Sequence, residues 1–390
     1  MKVDPDMSMN GLRDVCVVGT GLIPFGKYPD KTLADIGWPA VREAIQDSGL
    51  STRDIGAVFC GTALGGMLAG QRLMTKLGVS GMPIINVENA CSSSSSALSL
   101  AWLSIASGQN DVVVVIGVEK LTKFGGGVLP LEREDWEVNQ GMVMPALYAM
   151  RARRYMHEYG LTREQLSQVS VKAHDHGALN PNAQIRKRVS LDEVMASRPV
   201  ADPFTLWHCC PTGDGAAAVV LAAGDIARRS EIRPVRIVAS EVTSGLFTNG
   251  YRDMTWAELT ARGAKLAYEM AGLGPEDLDV AEVHDAFTIA ELMYYEAFGL
   301  CEQGGGYALL SSGATSLGGA IPVNPSGGLL SRGHPIGATG VAQAVEVTRQ
   351  LQDRAGGHQV EGARVGLTHA TGGGIAGVDH GACSIHIFVR

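Results

Sequence analysis

Cys91 has the neighbours expected of a nucleophile. An apolar run that ends at Val87 predicts a buried strand, and apolar spacing over residues 97–106 predicts a helix. Cys91 therefore lies where a strand turns into a helix, and unpaired backbone N–H groups and the helix dipole lower the pKa of a thiol there. The small serines at 92–96 let a substrate approach the thiolate. The alternative is a cysteine that only packs at a serine-rich helix start.

Two histidines lie in segments that also suit catalysis. His284 is followed by Asp285, Ala286 and Phe287, and His334 lies within the glycine-rich segment 324–340, NPSGGLLSRGHPIGATG. A histidine at a helix start is suited to take the thiol proton of Cys91. The alternatives are a core histidine that bonds a backbone carbonyl at 284 and a solvated helix cap at 334.

Strand and helix patterns alternate at both ends of the chain, which predicts a layered α/β fold. Strands are predicted at 14–19, 55–62, 82–87, 111–119, 214–222, 234–240, 280–283, 364–368 and 383–389. Thr32 caps the first predicted helix and Gly49 ends it. Later helices are predicted at 255–271, at 287–298 and after 333–340. Because each half has one strand-to-helix corner with a reactive residue, a pseudo-twofold axis would bring Cys91 and His334 to one cleft.

The segment between the halves has a different composition. Residues 120–205 are dense in charged, methionine and aromatic residues, show no strand pattern, and contain a capping box that begins at Thr162. The segment is too long for a simple connection, so we expect it to cover a site or an interface. We therefore predict an N-terminal half at 1–119 and 206–230, an inserted helical and loop region at 120–205, and a C-terminal half at 231–390.

Composition excludes several classes of function. The 390 residues are 45% hydrophobic and 18% charged, as in a globular protein, and the net charge of −8 without a basic cluster argues against nucleic acid as a partner. The seven cysteines lack metal-ligand spacing, so we expect no metal. No apolar run approaches the roughly 20 residues that span a bilayer. We expect a reduced, cytoplasmic, soluble protein that does not bind membranes.

Three segments in this order resemble the motifs of the thiolase superfamily: Asn89–Ser93, Val283–Phe287 and the long segment 324–340. The His-Asp-Ala-Phe form resembles the SCP2-type, or lipid-transfer-type, thiolases. This resemblance implies a thiolase fold with two duplicated βαβαβαββ halves in a layered α-β-α-β-α arrangement. It also implies an acyl-CoA C-acyltransferase that cleaves or forms a β-ketoacyl-CoA, with Cys91 as nucleophile, His334 as its base and His284 in an oxyanion hole.

The resemblance implies further contacts and partners. It assigns the second oxyanion hole to the backbone N–H groups of Cys91 and Gly372, and substrate binding to Ser326, Gly327 and Met144. Coenzyme A and acyl-CoA are substrates, and no bound cofactor is implied. The family implies a homodimer formed through the strands beside Cys91, and many relatives work with a small zinc-ribbon and OB-fold protein of the DUF35 kind.

Neither the basic nor the bulky side chains identify the substrate from the sequence. Basic residues of the inserted region could contact CoA phosphates or form a solvated helix face: Arg151, Arg153, Arg154 and Lys187. Bulky residues could line an aromatic acyl site, although we expect most to be core: Trp136, Met142, Met144, Tyr148, Phe247, Tyr294 and Tyr295. Acetoacetyl-CoA and an aromatic β-ketoacyl-CoA are the two substrate classes considered.

The chain departs from the family at the second catalytic cysteine, which moves the α-carbon proton. Both family positions are alanines, Ala286 and Ala370, which carry no such proton. The open substitutes are Tyr294, His369, the Cys209–Cys210 pair, or the thiol product itself. Otherwise the reaction is not a standard Claisen cleavage, which leaves an aldolase on a β-hydroxyacyl-CoA or a non-catalytic acyl-CoA-binding subunit as alternatives.

Overall fold

The computed structural model describes residues 11–125, 127–229, 231–247, 252–374 and 380–390. Its strands are β1 (Val15–Leu22), β2 (Ala57–Gly61), β3 (Ile84–Val87), β4 (Val112–Lys120), β5 (Pro199–Ala201), β6 (Phe204–Thr205), β7 (Asp214–Ala223), β8 (Val235–Thr243), β9 (Val280–Glu282), β10 (Val365–Gly372) and β11 (Ala382–Val389). Its helices are α1 (Leu33–Ser48), α2 (Ala69–Lys76), α3 (Ser93–Ala106), α4 (Trp136–Asn139), α5 (Met144–Tyr159), α6 (Arg163–Gly177), α7 (Leu191–Ala196), α8 (Gly224–Ala227), α9 (Glu258–Ala271), α10 (Thr288–Ala297), α11 (Gly306–Ser311), α12 (Gly328–Ser331) and α13 (Thr339–Leu351).

One nine-stranded sheet runs through both halves, in the order β3-β2-β4-β7-β1-β8-β11-β10-β9. The first five of these strands precede residue 225, the last four follow it, and a short antiparallel pairing of β1 with β8 joins them. In the first half β2 pairs in parallel with β3 and β4. In the second half β9 pairs in parallel with β10, and Ala281 forms a parallel bridge to Val323. The strand order thus repeats, and the predicted mixed α/β fold class is confirmed.

Local sequence signals explain the bounds of several elements. Thr32 caps α1 through a capping box, and Gly49 ends it in the left-handed conformation at φ 68°, as predicted. Thr162 forms the predicted capping box of α6. All ten residues of β7 are buried, as is expected of a central strand covered on both faces.

The two halves meet where α3 packs beside α13. The serines at 92–96 are buried, and they bond to the second half: Ser92 to Ser384, Ser95 to the His386 ring, and Ser94 to the backbone N–H of Val341. The prediction that these serines leave room for a substrate is therefore wrong. They hold the Cys91 corner against the second half, because a hydroxyl buried between helices and strands needs a hydrogen-bond partner.

The region between β4 and β7 is mostly helical. It contains α4, α5, α6 and α7, but β5 and β6 also form a small antiparallel hairpin there, so the prediction of a strand-free segment is wrong. Two-residue and three-residue strands are too short to produce a readable alternation of apolar residues. The bounds of the predicted domains stay a prediction. No helix in the described ranges is both long and apolar enough to cross a membrane.

Candidate active site

Cys91 lies in a tight turn between β3 and α3. A 3₁₀ turn spans Ala90–Ser92, and Ala90 has a φ of +48°, a left-handed conformation that costs a non-glycine residue about 1–2 kcal/mol. Two hydrogen bonds hold this residue: its N–H donates to Glu88 at 2.6 Å, and the Ser93 hydroxyl donates to its carbonyl at 2.6 Å. The turn thus presents Cys91 at a corner, where the residue is partly exposed.

The end of β10 closes over this corner. A Cβ atom on Gly372 would lie 2.1 Å from the carbonyl oxygen of Asn89, so only glycine permits the approach. The next residue, Gly373, donates its backbone N–H to the thiol of Cys91. This donor was not predicted, because a glycine run does not indicate which of its N–H groups faces a distant residue.

His334 lies in the turn between α12 and α13 and is buried. Its Nδ1 is 2.7 Å from the hydroxyl oxygen of Thr339, and that hydroxyl donates its proton to the carbonyl of Pro335 at 3.2 Å. A hydroxyl that donates its one proton to this carbonyl accepts from Nδ1–H. We assign this tautomer to His334, because it leaves the Nε2 lone pair available to a thiol proton. Thr339 was missed in the sequence because a threonine at a helix start normally indicates only a cap.

His284 follows β9 and is almost fully buried. Its ring meets that of His334 edge-on, with centroids 4.9 Å apart, and its buried Nδ1 has no hydrogen-bond partner among the residues that the structure describes. The sulfur of Cys91 and one ring nitrogen each of His284 and His334 lie within 4.8 Å of one another. The structure therefore brings together the three residues on which the sequence prediction depends.

The same three residues have a composition that suits a metal ion. Among the described residues they are the one set of three cysteine, histidine or acidic side chains close enough to share one. The expectation of a metal-free site stays a prediction.

Burial dominates the electrostatics of the site. It raises the pKa of the Cys91 thiol to about 12, although hydrogen bonds from the N–H groups of Gly373 and of Cys91 itself act in the opposite direction. The prediction of a lowered thiol pKa is therefore wrong for the resting protein, because desolvation by burial outweighs the effect of the helix start. Burial, followed by the charge of Arg332, lowers the pKa of His334 to about 3. Cys91 and His334 are thus both neutral near pH 7.

Glu119 links the two corners of the site. This buried carboxylate at the end of β4 accepts from the N–H groups of Ala63 at 2.9 Å and Gly337 at 3.1 Å, and burial raises its pKa. It therefore holds a loop of the first half against the turn that carries His334. Its role was missed because an acid at the end of an apolar strand usually faces water.

His369 and Tyr294 lie in the core. The His369 Nδ1 accepts from the backbone N–H of His284 at 3.4 Å, and its Nε2 lies 3.1 Å from the Thr260 hydroxyl. Tyr294 packs edge-on against this ring at 4.5 Å and shares a hydrogen bond with Thr371 at 3.3 Å. The two residues support the backbone on which His284 stands.

The predicted substrate-binding residues have different surroundings. Ser326 is fully buried and donates to Glu282 at 2.7 Å, so its hydroxyl has no exposed surface. Gly327 has a φ of +95° and lies against Gly177 of α6. Met144 at the start of α5 is partly buried, and its sulfur would be 3.7 Å from a Cβ on Gly374, next to the glycine that contacts Cys91. Met144 is thus the member of this set that lies beside the site.

The predicted basic contacts are engaged within the chain. Arg151 is buried and donates to the carbonyls of Met254 and Trp256. The other three form ion pairs: Arg153 with Asp202, Arg154 with Glu158 and Lys187 with Glu193. Among the bulky residues, the three tyrosines are core as expected, whereas Trp136 and Phe247 are 65% and 71% exposed.

Family models match both halves of this chain. One described as the thiolase N-terminal domain matches residues 15–225, and one described as thiolase C-terminal domain-like matches residues 241–379. The chain belongs to the thiolase family. It is a thiolase-type acyltransferase enzyme, and coenzyme A is the family's substrate.

Relatives cover nearly the whole chain. Acetyl-CoA acetyltransferase of Methanothermobacter thermautotrophicus is 42% identical over 97% of this chain and 100% of that protein. Benzoylsuccinyl-CoA thiolase subunit BbsB of Thauera aromatica is 41% identical over 93% and 95% of the two chains. Sterol carrier protein 2 of Rattus norvegicus is 37% identical over 96% of this chain and 73% of that protein, which confirms the SCP2-type resemblance.

Solved structures agree with this assignment. The Ltp2-ChsH2(DUF35) aldolase superposes with a TM-score of 0.84 at 25% identity, over 96% of this chain and 98% of that chain. Human mitochondrial 3-ketoacyl-CoA thiolase in complex with CoA gives a TM-score of 0.74 at 20% identity, over 98% and 100% of the two chains. The second likeness shows the thiolase fold alone.

Proposed function

We propose that this thiolase transfers acyl groups between CoA thioesters through an acyl-enzyme on Cys91, and so forms or cleaves a β-ketoacyl-CoA. The juxtaposition of Cys91, His284 and His334 within 4.8 Å is the observation that carries this proposal. A thiol, a neutral base and a second imidazole in one buried corner are the groups that acyl transfer needs.

His334 is the base that activates Cys91. Its Nε2 lone pair, left free by the Thr339 hydrogen bond, accepts the thiol proton, and the sulfur then attacks the thioester carbonyl. Cys91 and His334 are both neutral before the substrate binds, so proton transfer between them begins the reaction. The proton moves when a substrate occupies the corner, and the backbone N–H of Gly373 stabilises the developing thiolate.

Two sets of donors serve the oxyanions. We assign the hole for the tetrahedral intermediate on Cys91 to the N–H groups of Cys91 and Gly372, as the family resemblance implies. His284 serves the enolate oxygen of the second substrate. The buried Nδ1 of His284, which has no hydrogen-bond partner among the described residues, supports this role, because a buried imidazole nitrogen needs a polar partner that a substrate can supply.

We propose that a small DUF35-type protein completes the CoA site. Arg153, Arg154 and Lys187 of the inserted region pair with carboxylates of the chain, which lowers the positive charge that they offer to a CoA phosphate. The superposition on the Ltp2-ChsH2(DUF35) aldolase supports such a partner. The proposal predicts that a DUF35 protein co-expressed with this chain co-purifies with it and lowers the KM for acyl-CoA, whereas an unchanged KM contradicts it.

We propose a homodimer through the edge strand β3. This strand ends the nine-stranded sheet, and apolar side chains beside it are exposed: Ile85, Leu100 and Leu103 are 42%, 44% and 52% exposed. An apolar edge of this kind is normally covered in solution. Analytical ultracentrifugation should give a dimer for the native chain and a monomer for Ile85→Lys.

Intact-mass spectrometry tests the acyl-enzyme. The purified chain is incubated with acetyl-CoA, and in parallel with a longer and an aromatic acyl-CoA. A mass gain equal to the acyl group is expected, absent in Cys91→Ala and present in the control Cys301→Ala, which removes another partly exposed thiol. The donor that loads fastest identifies the acyl class. No gain with any donor, alone or with the partner, would contradict the proposal and leave the aldolase and the non-catalytic subunit as the alternatives.

An aldolase that cleaves a β-hydroxyacyl-CoA is the second candidate function. It is favoured by the superposition on an aldolase of this fold and by alanine at both family positions of the second cysteine. A retro-aldol cleavage needs no thiolate nucleophile. Turnover of a β-hydroxyacyl-CoA by Cys91→Ala at the rate of the native chain would establish this alternative.

A further inference from the structure

Claisen chemistry at this site needs a group that moves the proton of the substrate α-carbon. Neither Ala286 nor Ala370 can carry a proton, and both side chains are buried, with 7% and 0% exposure. The acid/base is therefore a different residue, and it must present a polar atom to the space beside Cys91.

Two of the residues named in the sequence analysis do not meet this condition. His369 is 0% exposed, and both of its ring nitrogens lie at hydrogen-bond distance from other groups of the core. Tyr294 is 2% exposed, with its hydroxyl beside that of Thr371. Neither side chain is accessible to a substrate in this arrangement.

Cys210 meets the condition. Its backbone N–H donates to the carbonyl of Ala286 at 2.9 Å, and the adjacent Cys209 forms an antiparallel bridge with Phe287. Cys210 thus lies directly beside the position at which relatives of this subtype carry the second cysteine. It is partly exposed, and its thiol lies within electrostatic range of the Cys91 thiol.

We propose that Cys210 is the second catalytic thiol of this enzyme and that it moves the α-carbon proton in place of the cysteine missing at residue 286. This inference rests on the acyl-transferase function proposed above. The Cys210 thiol comes from the segment between β6 and β7, whose backbone lies beside that of Ala286. The enzyme would thus keep a second catalytic thiol near the substrate, but on a different segment of the chain.

The proton balance closes without a further reactant. In condensation, Cys91 passes its proton to His334 and takes the acyl group, and the departing CoA thiolate takes the proton of Cys210 and leaves as CoA thiol. The Cys210 thiolate then removes the α-proton of the second acyl-CoA. The resulting enolate carbon attacks the Cys91 thioester, a C–C bond forms as the C–S bond breaks, and Cys91 recovers its proton from His334.

Burial supports this role, and the position of the sulfur distinguishes Cys210 from Cys209. Burial raises the pKa of Cys210 well above the usual value, and proximity to Cys209, Cys91 and Asp285 raises it further, so the thiolate is a strong base once formed. The Cys209 sulfur instead lies 3.7 Å from the carbonyl of Thr205, within the inserted region. Cys209 is therefore the matched control.

The test compares Cys210→Ala, Cys210→Ser and Cys209→Ala in the full chain. Three readouts are followed: the acyl mass gain at Cys91, deuterium uptake from D₂O into the α-carbon of acetyl-CoA, and steady-state condensation. Cys210→Ala and Cys210→Ser should still load the acyl group, because a thiolate leaves without a proton donor. Deuterium uptake and condensation should fall by roughly 10²–10⁴-fold, the usual contribution of a general acid/base. Cys209→Ala should give native values for acyl loading, deuterium uptake and condensation.

A rescue variant separates catalysis from structure. Ala286→Cys in the Cys210→Ala background restores a thiol from the adjacent backbone and should recover deuterium uptake by at least about tenfold. Uptake by Cys210→Ala within about threefold of the native rate would overturn the inference. The inference would also be overturned if Cys210→Ala lost both acyl loading and deuterium uptake while Cys210→Ser kept both at the native rate. Serine restores the packing of the side chain but not a thiolate base, so that result would indicate a structural role. Failure of the native chain to load acyl groups instead refutes the proposed function itself.

Discussion

Removal of the Thr339 hydroxyl should slow acylation of Cys91. Thr339→Val keeps the shape of the side chain but cannot accept the Nδ1–H of His334, which lies 2.7 Å from Oγ1. Thr339 is fully buried, so water does not replace the hydroxyl. A buried donor without a partner costs about 1–3 kcal/mol, which favours the tautomer whose proton sits on Nε2.

That free energy sets the size of the effect. Since 1.4 kcal/mol is a factor of ten, the tautomer with a free Nε2 lone pair becomes about 5- to 150-fold rarer. The single-turnover rate of Cys91 acylation by acetyl-CoA, followed by mass spectrometry, should fall by the same factor. The unfolding temperature should fall by only a few degrees, because a loss of about 1–3 kcal/mol is small against the unfolding entropy of a chain of this length.

Two controls sharpen this measurement. Thr339→Ser keeps an acceptor and should retain most of the rate. Thr348→Val changes a buried threonine of the same helix whose hydroxyl has no hydrogen-bond partner in the described part of the chain, and it should acylate at the native rate. If Thr339→Val acylates within about twofold of the native chain, the tautomer does not govern the base and the reasoning is refuted.

Two further predictions concern stability and close packing. Burial lowers the pKa of four histidines to about 3 or 4: His176, His208, His334 and His386. Below pH 6.5 the unfolded chain binds protons that the folded chain does not, so the free energy of unfolding should fall by up to about 1.4 kcal/mol per pH unit for each histidine. Urea midpoints at pH 7.5, 6.0 and 5.0 measure this, and equal midpoints would contradict it. Gly372→Ala places a Cβ 2.1 Å from the Asn89 carbonyl and should lose about 1–3 kcal/mol of stability and at least about tenfold in acylation rate. Gly357→Ala, whose Cβ meets nothing closer than 3.5 Å, is the control, and equal behaviour of both variants in thermal unfolding would exclude the clash.

Local sequence patterns predicted most of the helices and strands, because the residues that begin, end and pattern these elements lie within them or next to them. The apolar run at 111–119 became β4, and the capping residues Thr32 and Gly49 bound α1 as expected. The hairpin of β5 and β6 was missed because such short strands have no measurable period. The roles of the site residues and the domain bounds stay predictions.

Side-chain environments could not be predicted in the same way. The serines after Cys91 were assigned to substrate access, yet they bond to β11 and α13. The thiol pKa was predicted low from the helix start alone, whereas burial in the folded chain raises it. Both errors arise because burial depends on elements that lie far away in the chain.

The sequence by itself determined the family, the α/β fold and the three residues that meet in the site, because motif letters and apolar periods are properties of neighbouring residues. The tertiary structure alone decided which N–H group faces Cys91, that the Thr339 hydroxyl lies at Nδ1 of His334, and that Cys210 lies beside Ala286. These contacts join residues from separate elements, and their distances follow from how the two halves pack. Protonation depends on the same packing, since burial changes the free energy of a charge more than the adjacent residues in the chain do.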